Sequence, residues 1–179
     1  MNSHRSTLDL LVQYAHYHRD QRNIVTHFVG IPLIVFGVGV LLARLHLTLP
    51  RLDVTAAWVA FCVAGAWYLS RRGPLTLSVA VTVGVGLIVA LAHSAAAGGM
   101  ASWLAWGAGS FLIGWAMQFL GHYYEGRKPA FVDDAFGLLV GPMFVTAEAL
   151  FSMGWNKPLL AEIERRAGPT HLRDLAHPA

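Results

Sequence analysis

The sequence predicts an all-α, polytopic membrane helical bundle of about four transmembrane helices, with an amino-terminal helix and a re-entrant or interfacial helix beside them. Three observations predict it. Hydrophobic residues make up 55% and charged residues 13% of the 179, with a mean hydropathy of +0.50, figures unlike those of a soluble domain. From Gly73 to Tyr124 there is no Asp, Glu, Lys or Arg, enough chain for two spans of about 20 residues each. The basic residues also divide unequally between the polar segments. One domain over residues 1–179 is expected, with a frayed tail from about 168 to 179.

Ser6 or Thr7 can cap a first helix from about Leu8 to His18, whose Leu8, Leu11, Val12, Ala15 and His18 share a face. His16 lies roughly 160° away from His18 around such a helix and points outward. A polar turn, Arg19-Asp20-Gln21-Arg22, follows. Asn23 is positioned to cap the next helix and stacks one turn from His27. Ile24 to Ala43 forms the first span, with Pro32 as a kink. Val54–Ser70, Leu75 to about His93 and Trp103 to about Gly121 form the other three. Ala135–Ala147, at 13 residues, is too short to span and fits a re-entrant or interfacial helix. Leu159, Leu160 and Ile163 fit a short surface helix. Gly37, Gly39, Gly84 and Gly86 read as close-packing positions, as do Ser110 and Gly114.

With four spans, Arg5, Arg19, Arg22, Arg71, Arg72, Arg127, Lys128, Lys157, Arg165, Arg166 and Arg173 lie on one side, and only Arg44 and Arg51 on the other. The positive-inside rule makes the first side cytoplasmic. The expected location is therefore a multi-pass position in a bacterial inner membrane. A net charge of +3 suits an anionic lipid surface, and no basic stripe interleaved with aromatics suggests nucleic acid. The single cysteine, Cys62, rules out an intrachain disulfide and reads as a buried structural thiol.

Two polar clusters flank the spans on the same side. His18 precedes the first and His27 lies in its opening turn, while Gln118, His122 and Glu125 form one stripe at i, i+4 and i+7 at the end of the fourth. Ionisable groups entering a membrane are costly and usually face a cavity or a partner. Three neutral imidazoles suit ferrous iron, and zinc nearly as well. Glu125 is either a further ligand or the group orienting His122, and Asn23 and Gln118 read as hydrogen-bonding groups around the site. The competing reading is a set of histidines at the headgroup boundary, satisfied by water. His93 reads as interfacial on the opposite side. Tyr14, Tyr17, Tyr123 and Tyr124 read as interface anchors, with Tyr17 or Tyr124 the ones that could line a pocket. Asp133-Asp134 reads as a helix cap, and Glu148 as a group behind the site.

The pattern Tyr17-His18, Asn23, His27, Gly30-Ile31-Pro32, then Gln118, Gly121-His122, Glu125 and Pro129-Ala130 resembles the membrane 2-hydroxy fatty acid dioxygenase family, of the type first characterised in fungal phytosphingosine degradation. The similarity runs over roughly Leu10 to Phe151. It implies Fe2+ (iron(II)), O2 and a 2-hydroxy fatty acid shortened by one carbon through alpha-oxidation. On that reading His18, His27 and His122 hold the iron, and Asn23 and Gln118 position substrate or oxygen. The alternatives are a different membrane lipid oxidase, whose HxxxH and HxxHH arrangements are missing from this sequence, and a non-enzymatic metal-binding or transport protein.

Overall fold

The structure, a computed structural model, describes residues 5–49, 52–128 and 137–175. It is all-helical apart from one short hairpin. The elements are α1 (Thr7–Ala15), α2 (Gln21–Leu42), β1 (His46–Leu49), β2 (Leu52–Thr55), α3 (Ala56–Leu69), α4 (Leu75–Ala96), α5 (Met100–Glu125), α6 (Gly137–Ser152) and α7 (Lys157–Ala167). The expected Asp133-Asp134 cap and the Pro129-Ala130 pair lie outside the described residues, as do His4 and His177.

Ser6 caps α1 in a reciprocal box with Asp9: Asp9 N donates to Ser6 Oγ at 3.2 Å and Ser6 N to Asp9 Oδ2 at 3.3 Å. The helix stops at Ala15, three residues earlier than the apolar spacing suggests. The next cap is Asp20, not Asn23. Its carboxylate accepts from Arg22 N at 2.8 Å, and Asn23 lies one turn inside α2. A carboxylate at this end also complements the helix dipole.

Two helices, α2 and α4, each of 22 residues, are long and apolar enough to cross a membrane. α3 has only 14 residues and α6 has 16, about 21 and 24 Å at the helical rise. α5 has 26 residues but carries polar groups that lower its hydropathy. Those groups face inward: Ser110, Gln118, His122 and Glu125 are buried, whereas Leu112, Ile113 and Phe119 are more than half exposed. On α4, Val79, Val83, Leu87 and Leu91 form an exposed stripe at one-turn spacing. Cys62 is exposed on α3, not buried. That helix is apolar on every face, so its composition does not mark an inner side.

The most extensive helix pair is α2 with α5. Glycines bring the two backbones together at seven-residue intervals, Gly30 and Gly37 on one and Gly107, Gly114 and Gly121 on the other. A Cβ on Gly114 would sit 2.8 Å from Gly30 O and 2.7 Å from Ile34 Cγ1, and one on Gly37 would sit 2.7 Å from Gly107 O. At Gly121 it would collide with Thr26 Oγ1 and Asn23 Oδ1. Gly84, by contrast, has open space around it. At the far end Trp103 Nε1 donates to Val40 O at 2.8 Å and Arg44 bonds the carbonyls of Ala96 and Gly98.

That end also carries the hairpin. Its register, His46 with Thr55 and Leu47 with Val54, follows an alternation of polar and apolar residues within each strand, His46 to Leu49 and Leu52 to Thr55. Val54 therefore belongs to a strand rather than to the second span. His93 lies at this end as expected, 2.8 Å from Thr55 Oγ1 and stacked on Trp58.

At the opposite end the chain beyond α7, expected to fray, is tied to the α1–α2 turn. His171 N donates to Arg19 O at 2.9 Å and Gln21 N to His171 O at 3.0 Å. Arg173 N donates to Asp20 Oδ2 at 2.8 Å, and Arg22 Nη2 reaches Arg173 O at 2.7 Å. Burial opposes the Asp20 charge, but hydrogen bonds from Arg22 and Arg173 outweigh it and hold the carboxyl at about 2.

Two outcomes follow from this packing. Gly114→Ala should lower stability by about 1–3 kcal/mol through overpacking, read as thermal unfolding in detergent, while Gly84→Ala should be neutral or stabilise by up to about 1 kcal/mol. The Asp20 carboxyl is depressed by folding, so its contribution is complete above its ordinary value of 3.8 and is lost as pH falls towards 2. Asp20→Asn should therefore weaken the fold at neutral pH and flatten the acid-induced loss of stability between those two values, as followed by circular dichroism.

Candidate metal centre

The centre begins with the turn that interrupts α1 and α2. Tyr17 N and His18 N bond back to Tyr14 O and Ala15 O at 3.0 Å each, tightening the last turn before Asp20 starts the next helix. A continuous helix would set His18 and His27 half a turn apart. The break instead brings their rings to 4.5 Å between centroids. His122, delivered by α5, completes a trio at 4.9 and 5.2 Å from the other two. One ligating atom from each of the three lies within 4.8 Å of the others.

Hydrogen bonds fix two of the tautomers. His18 Nδ1 lies 2.7 Å from Tyr14 O, and His27 Nδ1 lies 2.8 Å from Asn23 O. A backbone carbonyl can only accept, so both Nδ1 atoms carry protons and both Nε2 atoms present lone pairs. Those two Nε2 atoms meet at 3.0 Å. Two acceptors at that distance repel unless a proton or a metal ion lies between them. Burial, reinforced by His27 and then His122, holds His18 well below its ordinary value, which disfavours the proton. Two nitrogens each about 2.1 Å from an ion and at right angles would stand about 3.0 Å apart. The trio is able to hold a metal ion.

Exposure decides against the headgroup-boundary reading. His18 and His27 are 0% exposed and His122 6%. His122 Nδ1 and Gln118 Nε2 are buried with no hydrogen-bond partner among the described residues, and each such atom costs about 1–3 kcal/mol unless a bound group satisfies it. His16 is exposed, as its helical phase required.

Glu125 sits behind the trio with both oxygens occupied. Arg19 N donates to Oε1 and Oε2 at 3.0 Å, Asp20 N to Oε2 at 2.9 Å and Asn23 Nδ2 to Oε2 at 2.9 Å. Of its two expected roles, this geometry fits the one that orients. The group oriented is the turn bearing His18, rather than His122. Asn23 donates its other amide hydrogen to Tyr17 O at 3.1 Å, and its oxygen lies against Gly121. Asn23 therefore builds the wall of the site and does not line its cavity. Gln118 does, beside His122 and Tyr14, in a space of about 60 Å³.

Three participants are not legible as such in the sequence. Tyr14, expected as an interface anchor, is buried and stacks on His18 at 4.0 Å with an interplanar angle of 1°. Its spacing of four from His18 matches that of Asn23 from His27, and this is the signal that could have found it. Arg19 is buried too, its Nε bonded to Ala15 O and His18 O and its Nη2 3.6 Å from Glu148. Phe144 of α6 covers Tyr14 and His18, at 4.9 and 5.5 Å.

Known proteins resemble the chain over most of its length. A family model described as 2-hydroxy-palmitic acid dioxygenase Mpo1-like matches residues 4–153. The 2-hydroxy-palmitic acid dioxygenase of Saccharomyces cerevisiae is 30% identical over 166 residues, covering 88% of each chain. No solved structure matches. The protein belongs to the Mpo1-like family.

Proposed function

We propose that the protein is an iron(II)-dependent dioxygenase of fatty acid alpha-oxidation. It converts a 2-hydroxy fatty acid and dioxygen to the acid one carbon shorter, with carbon dioxide and water. The reaction, R-CHOH-COOH + O2 → R-COOH + CO2 + H2O, balances without an external reductant. The observation that carries this reading is the buried trio His18, His27 and His122 with two Nε2 lone pairs fixed towards one point. The yeast relative, a 2-hydroxy-palmitic acid dioxygenase by name, supports the choice of substrate.

His18, His27 and His122 are the proposed ligands. Three neutral nitrogen donors leave positions for both hydroxyl and carboxylate of a 2-hydroxy acid and for oxygen. Iron, when bound, supplies the means of activating dioxygen and polarising the hydroxyl. The remaining work falls to the chain. Tyr14 O and Asn23 O hold the protons at Nδ1, so that His18 and His27 offer Nε2 without a change of tautomer. Glu125 fixes the turn that carries His18. Gln118 directs an unpaired amide N–H at the acid's head, and Phe144 and the apolar wall exclude water.

We further propose four spans, α2 to α5, with the metal centre at the cytoplasmic side of an inner membrane. The inward polar and outward apolar faces of α5 support its inclusion despite its lower hydropathy. The end of the bundle holding the trio is also the arginine-rich one, in accord with the positive-inside rule. The partners on this reading are membrane lipid, O2 and the hydroxy acid, without nucleic acid.

Metal analysis and oxygen uptake test the proposal together. Anaerobically purified protein should carry stoichiometric iron and consume oxygen on addition of 2-hydroxypalmitate, releasing the 15-carbon acid. His18→Ala, His27→Ala and His122→Ala should each lose both, while His16→Ala should keep both. Glu125→Gln should weaken iron retention by about 10–100-fold, the usual effect of removing a supporting group. Iron without oxygen uptake would favour a metal-binding protein, and activity in His122→Ala would overturn the assignment.

A further inference from the structure

The small space beside His122 adjoins a second, larger one. Ile34, Val35, Leu138 and Pro142 line both. On the far side of these residues lies a groove of about 220 Å³ between α2, α3, α4 and α6, lined almost wholly by carbon and reaching Leu42, Ala57 and Val89. The two compartments differ in chemistry. The first offers Tyr14, Gln118 and His122; the second offers Val38, Ala60, Phe61, Ala64 and Val85. Gln118, 6% exposed, lines the first, and its buried amide nitrogen has no hydrogen-bond partner among the described residues.

We propose that this groove is the seat of the substrate's acyl tail and sets the chain length the protein accepts. The proposal rests on the reading of the trio as a site for a 2-hydroxy acid. A small compartment whose few polar side chains, Tyr14, Gln118 and His122, suit an acid head adjoins, across shared apolar residues, one too apolar for anything but hydrocarbon. The length agrees as well. His27 and Leu42 are fifteen residues apart on one helix, about 22 Å, more than the roughly 15 Å of one leaflet's hydrocarbon. The deep end is closed by the packed cluster of Val40, Ala57, Val89 and Ala92, which provides a floor. Ala57, Ala60 and Ala64 fall on one face of α3, so the bore depends on side chains that a single substitution can enlarge.

The test combines labelling with kinetics. A 16-carbon 2-hydroxy acid bearing a terminal diazirine should crosslink, in metal-free protein, to peptides containing Leu42, Phe61 or Val89, as located by mass spectrometry. Ala64→Phe and Val38→Trp should each reduce that labelling. They should raise KM for 2-hydroxypalmitate by about tenfold or more, since each methylene expelled from an apolar seat costs roughly fourfold, and leave an eight-carbon 2-hydroxy acid unaffected. Val63→Phe, on the outer face of α3, should change neither. Equal losses for both chain lengths, labelling unaltered by Ala64→Phe, or equal labelling by a phospholipid probe would overturn the proposal. If labelling falls in the groove but wild-type protein oxidises no 2-hydroxy acid, the activity proposed above fails while the acyl seat stands.

Discussion

One buried carboxylate holds the centre together. Glu125 ends α5 and accepts from the backbone of Arg19 and Asp20 and from the Asn23 side chain, joining the last turn of one long helix to the first turn of the other. An ionised carboxylate in a buried setting is tolerable only when such donors replace water. The N–H groups it takes are ones that the break between α1 and α2 leaves without helical partners. Each side therefore solves the other's problem. The same break is what puts His18 beside His27, so the carboxylate that stabilises the turn also fixes the spacing of two imidazoles it does not touch.

That latch works only because α2 and α5 run unusually close. Gly121 lies where any side chain would displace Asn23 and Thr26, and Gly114 and Gly107 continue the close approach away from the site. On the proposed membrane reading, burying more hydrocarbon between helices gains little over exposing it to lipid, and close packing with internal polar contacts takes its place. The inward Ser110, Gln118, His122 and Glu125 belong to this logic. The polar positions are the inner ones, the reverse of a soluble bundle.

Much of this was legible in the residues. Helix phase alone separated His16 from His18, and the i, i+4, i+7 stripe of Gln118, His122 and Glu125 appears on one buried face. Of the residues that carried the resemblance to a hydroxy acid dioxygenase family, His18, Asn23, His27, Gln118, His122 and Glu125 lie together in space, and the family comparison bears the resemblance out. What failed were choices between neighbours. Asp20 and Asn23 are both competent caps, and contacts distant in sequence separate them: Arg173 bonds Asp20, while Glu125 takes the Asn23 side chain. Each strand of the hairpin alternates in polarity but borders apolar helices, and length arguments absorbed Val54 into a span. Tyr14 and Arg19 were unreadable for a different reason. Their burial depends on α6 and on the segment after α7, and nothing local to residues 14–19 records what covers them.

The donor set bears on the proposed substrate. In a site built from two histidines and a carboxylate, one negative ligand reduces the charge of a divalent ion. Here the nearby carboxylate already accepts from three N–H groups, that of Arg19 shared between its two oxygens, so the trio offers only neutral nitrogens. A divalent ion held by them would keep its full charge in a poorly screened interior, where an anionic ligand is attracted far more strongly than in water. A 2-hydroxy acid supplies that anion together with an adjacent hydroxyl. An aldehyde or an alkane supplies neither. On the proposed reading the preference for a 2-hydroxy acid is thus set twice, by uncompensated charge at the head and by the apolar groove for the tail, and the carboxylate of Glu125 serves the first by staying off the metal.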